Sequence, residues 1–202
     1  CSNCMGMFQN TIDILAEKAA AGVDVRLIYD DVGCIQTLPP KFYLELQKQG
    51  IHCACFNPFR PVLSIILNNR DHRKITVIDG KVAYTGGFNL ADEYINEKRK
   101  FGYWKDAGLR MTGAGVWSFT SMFLEMWDYI TKTEDEYEFY RKASELPEDA
   151  VAGPGYIQPY SDSPLDHEDV GENVYLNLIE HAKKYVYIFT PYLILGSEMT
   201  AA

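Results

Sequence analysis

No apolar run in the sequence approaches the ~20 residues that a membrane-spanning helix requires. The longest, Val62-Leu63-Ser64-Ile65-Ile66-Leu67, is far too short. The opening residues carry no signal-peptide pattern, an absence that describes these 202 residues rather than a native gene product. Cations are scarce: 19 Lys and Arg against 28 Asp and Glu give a net charge of -9. That balance argues against nucleic-acid binding, which runs on clustered Lys and Arg, and against a broad polybasic membrane surface. Five cysteines leave at least one unpaired. Cys1-x2-Cys4 sits at a terminus, and Cys53-x-Cys55 (beside His52) alternates as small buried side chains do in a strand. Four spaced zinc ligands are not assembled, so no metal and no cofactor is expected, and the usage fits a reducing compartment. The remaining texture, 47% hydrophobic and 23% charged, is that of a globular chain able to bury one good core, or one domain with an appendage.

Phe8, Ile12, Leu15, Ala16 and Ala19 recur at helical spacing and stop at Gly22. Residues 23–29 read as a strand, with Asp30-Asp31-Val32-Gly33 as the loop leaving it. Pro39-Pro40 opens a second helix closed by Gly50, and residues 51–56 form a second strand. This alternation predicts an α/β fold with a mixed, mostly parallel sheet flanked by helices. The aliphatic run 62–67 is either a packed connector or a lipid-facing wall. Residues 90–95 predict one or two helical turns, 103–111 a strand, and 114–131 the clearest helix, with Val116, Phe119, Phe123, Met126, Trp127 and Ile130 on one core-facing side. Residues 132–155 are acidic and Pro/Gly-rich and read as a linker. Beyond it come a short strand at 156–160, a solvated acidic loop at 162–169, a helix at about 172–184 and a β-prone strand at 185–190.

The chemistry gathers between Asn69 and Asn89. Ile75, Val77, Val82 and Tyr84 alternate around Asp79-Gly80, a hairpin signal. His72 and Lys74 stand two apart at the start of the first strand, a spacing that puts both on one face. An imidazole beside an ammonium can attack phosphorus and neutralise oxygen charge. Gly86-Gly87 then permits a tight turn that returns Asn89 as an amide donor. Alone, a His-x-Lys pair would be polar residues on a half-buried strand.

With Asp79, Gly86, Gly87 and Asn89 in place, the stretch resembles the His-x-Lys-x4-Asp motif of the phospholipase D superfamily, and its wording is most similar to the bacterial cardiolipin synthase branch. Residues 22–33, 103–111 and 182–192 resemble further family segments. The resemblance implies a first phospholipase D-like domain at 1–131, a linker at 132–155 and the beginning of a second half at 156–202. It implies a phosphohistidine mechanism: His72 as nucleophile or its partner acid, Lys74 and Asn89 on phosphate oxygens, and Gly86 and Gly87 admitting the phosphate. Asp79, at the far end of the hairpin strand, suits a turn or orienting role. Asp106, in Trp104-Lys105-Asp106, is either the acid that orients the catalytic histidine or a structural acid at a strand end.

The family pattern needs two motifs, and none of His52, His167 and His181 begins a second one. The implied reading is a fragment, inactive as a monomer, of an enzyme that converts phosphatidylglycerol into cardiolipin and glycerol. Its missing motif would come from the rest of the polypeptide or from a homodimer mate, and its bacterial membrane attachment from segments outside these residues. A hydrolase using water as acceptor, or a scaffold with a relic motif, are the other readings.

Overall fold

The computed structural model describes residues 6–58, 70–100, 102–145, 153, 156–162, 168–190 and 195–202. The chain divides into two compact units, residues 1–155 and 156–202.

The first unit begins with helix α1 (Gly6–Ala20), strand β1 (Arg26–Asp30), a single turn α2 (Asp31–Cys34), helix α3 (Phe42–Lys48) and strand β2 (His52–Phe56). Gly22 at φ +90° and Gly50 at φ +82° stop the two longer helices in a backbone conformation that suits glycine. Strands β1 and β2 pair in parallel, Arg26 opposite His52 through Asp30 opposite Phe56. Their core consists of Ile12, Val25, Leu46, Ile51 and Cys53, against which Phe8, Leu15, Leu27 and Phe42 pack. The expected loop at 30–33 is instead helical from Asp31, because the Asp30 carboxylate accepts the Gly33 amide at 2.9 Å as an N-cap.

Strands β3 (Ile75–Ile78), β4 (Val82–Gly86) and β5 (Gly108–Thr112) form an antiparallel sheet in the order β3-β4-β5. Val77 faces Ala83, and Ala83 faces Met111, so one face is aligned across all three strands. Helix α4 (Gly115–Thr131) covers that face, burying Val116 and Phe119 against Ala83, Met111, Ile75 and Val77. The mixed α/β class stands, but the proportion differs from expectation. Among the described residues one pairing is parallel and two are antiparallel. For β3 and β4 the reason is chain length: a tight hairpin can join only antiparallel strands, whereas a parallel pair needs a crossover such as α3.

Five further expectations are corrected. Residues 90–95 make turns without a helix, and the strand expected at 103–111 starts at Gly108. Residues 132–155, read as linker, contain helix α5 (Tyr137–Ala143), which packs on α4. Arg26 fixes that connection: its guanidinium donates to Asp135 at 2.7 Å and to the Tyr140 hydroxyl at 3.3 Å, and lies 5.5 Å from the Trp127 ring centre. Composition misled here because one of the acids, Asp135, is a half-buried partner of Arg26, while Glu134, Glu136, Glu138 and Glu145 are exposed. In the second unit, helix α6 (Val170–His181) turns extended at Ala182, and a last turn α7 covers Ser197–Ala201. Neither 156–160 nor 185–190 belongs to a ladder. The run 62–67 and most of the acidic loop at 162–169 lie outside the described residues.

Candidate active site

The site is built on the carboxyl ends of β1 and β2, where open α/β sheets generally bind ligands. Asp30 closes β1 and is almost covered. Its carboxylate accepts the Asp71 amide at 3.1 Å and Arg70 Nη1 at 3.0 Å, besides the Gly33 amide. Arg70 Nη2 donates to the carbonyl of Asn57, the residue after β2, at 3.2 Å. The backbone just before His72 is thus tied to the ends of both parallel strands.

On the other side of His72, Arg73 folds back on Asp71. Its Nε and Nη2 donate to the two carboxylate oxygens at 3.0 and 2.8 Å, and its own amide donates at 3.0 Å. Burial alone would push the Asp71 carboxyl up, but these donors hold it below its usual range. His72 therefore stands between two fixed residues with its side chain exposed, and its imidazole has no hydrogen-bond partner among the described residues. Lys74 curls back and donates from Nζ to the His72 carbonyl at 2.7 Å. Partial burial lowers its pKa from the ordinary lysine value, with the Asp71 charge acting in the opposite direction.

The strand proper starts at Ile75, so His72 and Lys74 precede it. The contact between them is the lysine-to-carbonyl bond rather than a shared strand face, since the backbone before Ile75 is engaged by Asp30 and Asp71 instead of by a ladder. Asp79 lies in the hairpin turn at φ +53°, followed by Gly80 at φ +65°. Five residues of extended chain separate it from Lys74 by roughly 16 Å, so it does not join the two.

Gly86, Gly87 and Asp106 form a second group. A Cβ on Gly86 would stand 2.6 Å from the Phe88 ring and 2.8 Å from the Ala107 carbonyl. A Cβ on Gly87 would stand 2.9 Å from Asp106 Oδ1. Both glycines are therefore demanded by close approach of neighbouring groups. Asp106 accepts Trp104 Nε1 at 3.0 Å and the Ala107 amide at 2.8 Å, and no bond to His72 accompanies them. Asn89 donates from Nδ2 to the Tyr94 hydroxyl at 2.7 Å, and Tyr94 meets Trp104 edge-on at 4.8 Å. Asn89 and Asp106 are linked through these two rings.

Sequence reasoning passed over Asp30, Arg70, Asp71 and Arg73 as functional residues. The one signal available was the run of charges directly around His72. No group of three or more His, Cys, Asp or Glu among the described residues is placed to hold a metal ion, and no helix among them is long and apolar enough to cross a membrane.

A family model described as cardiolipin synthase, PLD-like domain, matches residues 1–102. An uncharacterised protein of Streptococcus mutans is 50% identical over 97% of the chain and 42% of its own length. A cardiolipin synthase of Listeria monocytogenes is 35% identical over 94% of the chain and 39% of its own length. One of Staphylococcus aureus is 36% identical over 89% of the chain and 36% of its own length. The chain thus spans about two fifths of the curated relatives it matches. With the family model covering half of its residues, and the site built on the strand ends and hairpin within that half, the chain belongs to the cardiolipin synthase family of PLD-like domains.

Proposed function

We propose that the whole protein transfers a phosphatidyl group between two phosphatidylglycerol molecules, with His72 forming a phosphohistidine. The observation that carries this reading is the exposed imidazole of His72, without a hydrogen-bond partner among the described residues and held at the parallel strand ends next to Lys74. A neutral imidazole is a competent nucleophile near pH 7 without metal assistance. In the first step Nε2 or Nδ1 bonds to phosphorus as the bond to glycerol oxygen breaks, and a second acid supplies that alcohol's proton. In the second step a hydroxyl of the incoming phosphatidylglycerol gives its proton to the conjugate base of that acid as its oxygen attacks phosphorus, the histidine–phosphorus bond breaks, and cardiolipin leaves. Lys74 and Asn89 suit the non-bridging oxygens, where negative charge persists throughout. Gly86 and Gly87 suit a close backbone approach to the phosphate, and Asp79 supports the hairpin turn.

Asp106 suits an orienting role for the loop through Trp104 rather than a direct bond to the imidazole. The second acid is expected from another motif in the same polypeptide or in a second copy, and membrane attachment from other parts of a bacterial membrane protein. These 202 residues are accordingly expected to be inactive as a monomer.

The test uses the full-length enzyme in phosphatidylglycerol vesicles. Wild type should yield cardiolipin and glycerol, and His72→Ala should yield neither. Phosphatidic acid as the main product would favour the hydrolase reading. Unchanged cardiolipin from His72→Ala would favour a scaffold.

A further inference from the structure

We infer that Asp30 is a positioning residue for His72, acting through the backbone of Asp71 and the side chain of Arg70. The inference rests on the proposed role of His72 as the reacting imidazole. Asp30 belongs to a different element, 41 residues away from Asp71, yet it accepts the backbone amide of the residue next to His72.

The carboxylate divides its work between two oxygens. Oδ1 accepts from Arg70 and from the Gly33 amide that opens α2, and Oδ2 accepts from the Asp71 amide. A carboxylate is the only side chain of this length that supplies acceptor oxygens alone, with room for several donors. Asparagine keeps one oxygen and turns the other position into a donor, which would face the Asp71 amide or Arg70. Alanine loses all three bonds.

The neighbours show why the grip matters to His72 in particular. Asp30 has only 10% of its side chain exposed, while the His72 side chain is open to solvent. A solvent-exposed nucleophile has no packing of its own to locate it, so its position is inherited from its backbone. That backbone is set by Asp30 on one side and by the Asp71–Arg73 pair on the other. Arg70 extends the grip to the carbonyl of Asn57, so one carboxylate registers His72 against the ends of both β1 and β2. The buried Nε of Arg70 has no partner among the described residues, leaving the Asp30 and Asn57 contacts to hold this guanidinium.

Because reacting groups must be placed to within a fraction of an ångström, loss of the grip should cost about 10- to 100-fold in turnover. Substrate affinity should barely change, since the Asp30 carboxylate is nearly buried and its oxygens are taken by protein donors. The experiment measures kcat and KM for phosphatidylglycerol with full-length wild type, Asp30→Asn, Asp30→Ala, Arg70→Met and the Asp30→Ala/Arg70→Met double variant, each corrected for its folded fraction by thermal unfolding. The expected result is a fall in kcat in the order Arg70→Met, Asp30→Asn, Asp30→Ala, with KM within about twofold. The double variant should lose less than the product of the two single losses, since the two side chains share one contact and Arg70 adds only its bond to Asn57.

Turnover per folded molecule equal to wild type in Asp30→Asn and Arg70→Met would overturn the inference. So would losses confined to KM, or losses that multiply in the double variant. If Asp30→Ala does not fold, the Asn and Arg70→Met variants still decide. A His72→Ala control separates the two layers. If it retains activity, the reading of His72 fails; if it is inactive while the Asp30 variants turn over normally, only the positioning role fails.

Discussion

The hairpin turn allows a worked prediction. Gly80 is buried at φ +65°, and a Cβ built on it would stand 3.0 Å from the Ala143 Cβ and 3.1 Å from the Tyr140 carbonyl, both in α5. Gly80→Ala therefore suffers twice. Left-handed backbone costs a non-glycine residue about 1–2 kcal/mol. Forcing one extra carbon against the helix adds about 1–3 kcal/mol, because the neighbour must shift. The sum, about 2–5 kcal/mol, corresponds to a fall in melting temperature on the order of 10 °C for a unit of this size. Urea unfolding followed by circular dichroism measures it directly.

A companion change isolates the steric share. Ala143→Gly alone should cost about 0.5–1 kcal/mol at the helix end, yet in the Gly80→Ala background it should restore about 1 kcal/mol by removing the closest contact. Such a change of sign is a coupling that only touching residues show. Additive losses, or a Gly80→Ala variant within 0.5 kcal/mol of wild type, would refute the placement of α5 against the turn.

Burial lowers the pKa of Lys74, so its ammonium should be lost below the ordinary value of 10.5. The alkaline limb of kcat/KM in the full-length enzyme should accordingly fall before that pH, and Lys74→Arg should carry the limb beyond the measured range at lower activity. A limb unmoved by Lys74→Arg would assign it to another group. Asp71 has its folded pKa held below 3.8, so its contribution to stability is present above that value and lost as the pH falls through the folded pKa. The stability gap between wild type and Asp71→Asn should narrow below about pH 4, as read from urea midpoints. Burial pushes the thiols of Cys53 and Cys55 up to about 12 and about 11. Iodoacetamide at pH 8 should spare both until the protein is unfolded, as mapped by peptide mass spectrometry.

Elements whose residues carry their own instructions were legible in the sequence. The apolar spacing of α1 and α4 and the turn chemistry of Asp79-Gly80 fix structure over a few residues, and the hairpin follows wherever it is placed. His72 and Lys74 were expected to share a strand face, but both precede Ile75, and the contact between them is a lysine-to-carbonyl bond. The acids that matter in three dimensions were not legible. Asp30 read as a loop residue and Asp135 as part of an acidic linker, because nothing nearby names Arg70 or Arg26 as their partners. The β-prone run 185–190 shows the opposite failure. Tyr185, Tyr187 and Phe189 favour a pleated surface, but a strand exists only beside a neighbour, and none of the described residues pairs with them.

The separation of Asp30 from Asp71 has a consequence in time. Strands β3 and β4 meet through a three-residue connection, a closure of the kind completed in about 1–10 μs. The parallel pair beneath must first bring Asp30 and Phe56 together across a helical crossover, a slower event because chain entropy is spent before contacts compensate. The motif therefore acquires its strands before its histidine acquires an address. A chain caught between those events would show the hairpin's amides protected from hydrogen exchange while the Asp71 amide still exchanged freely.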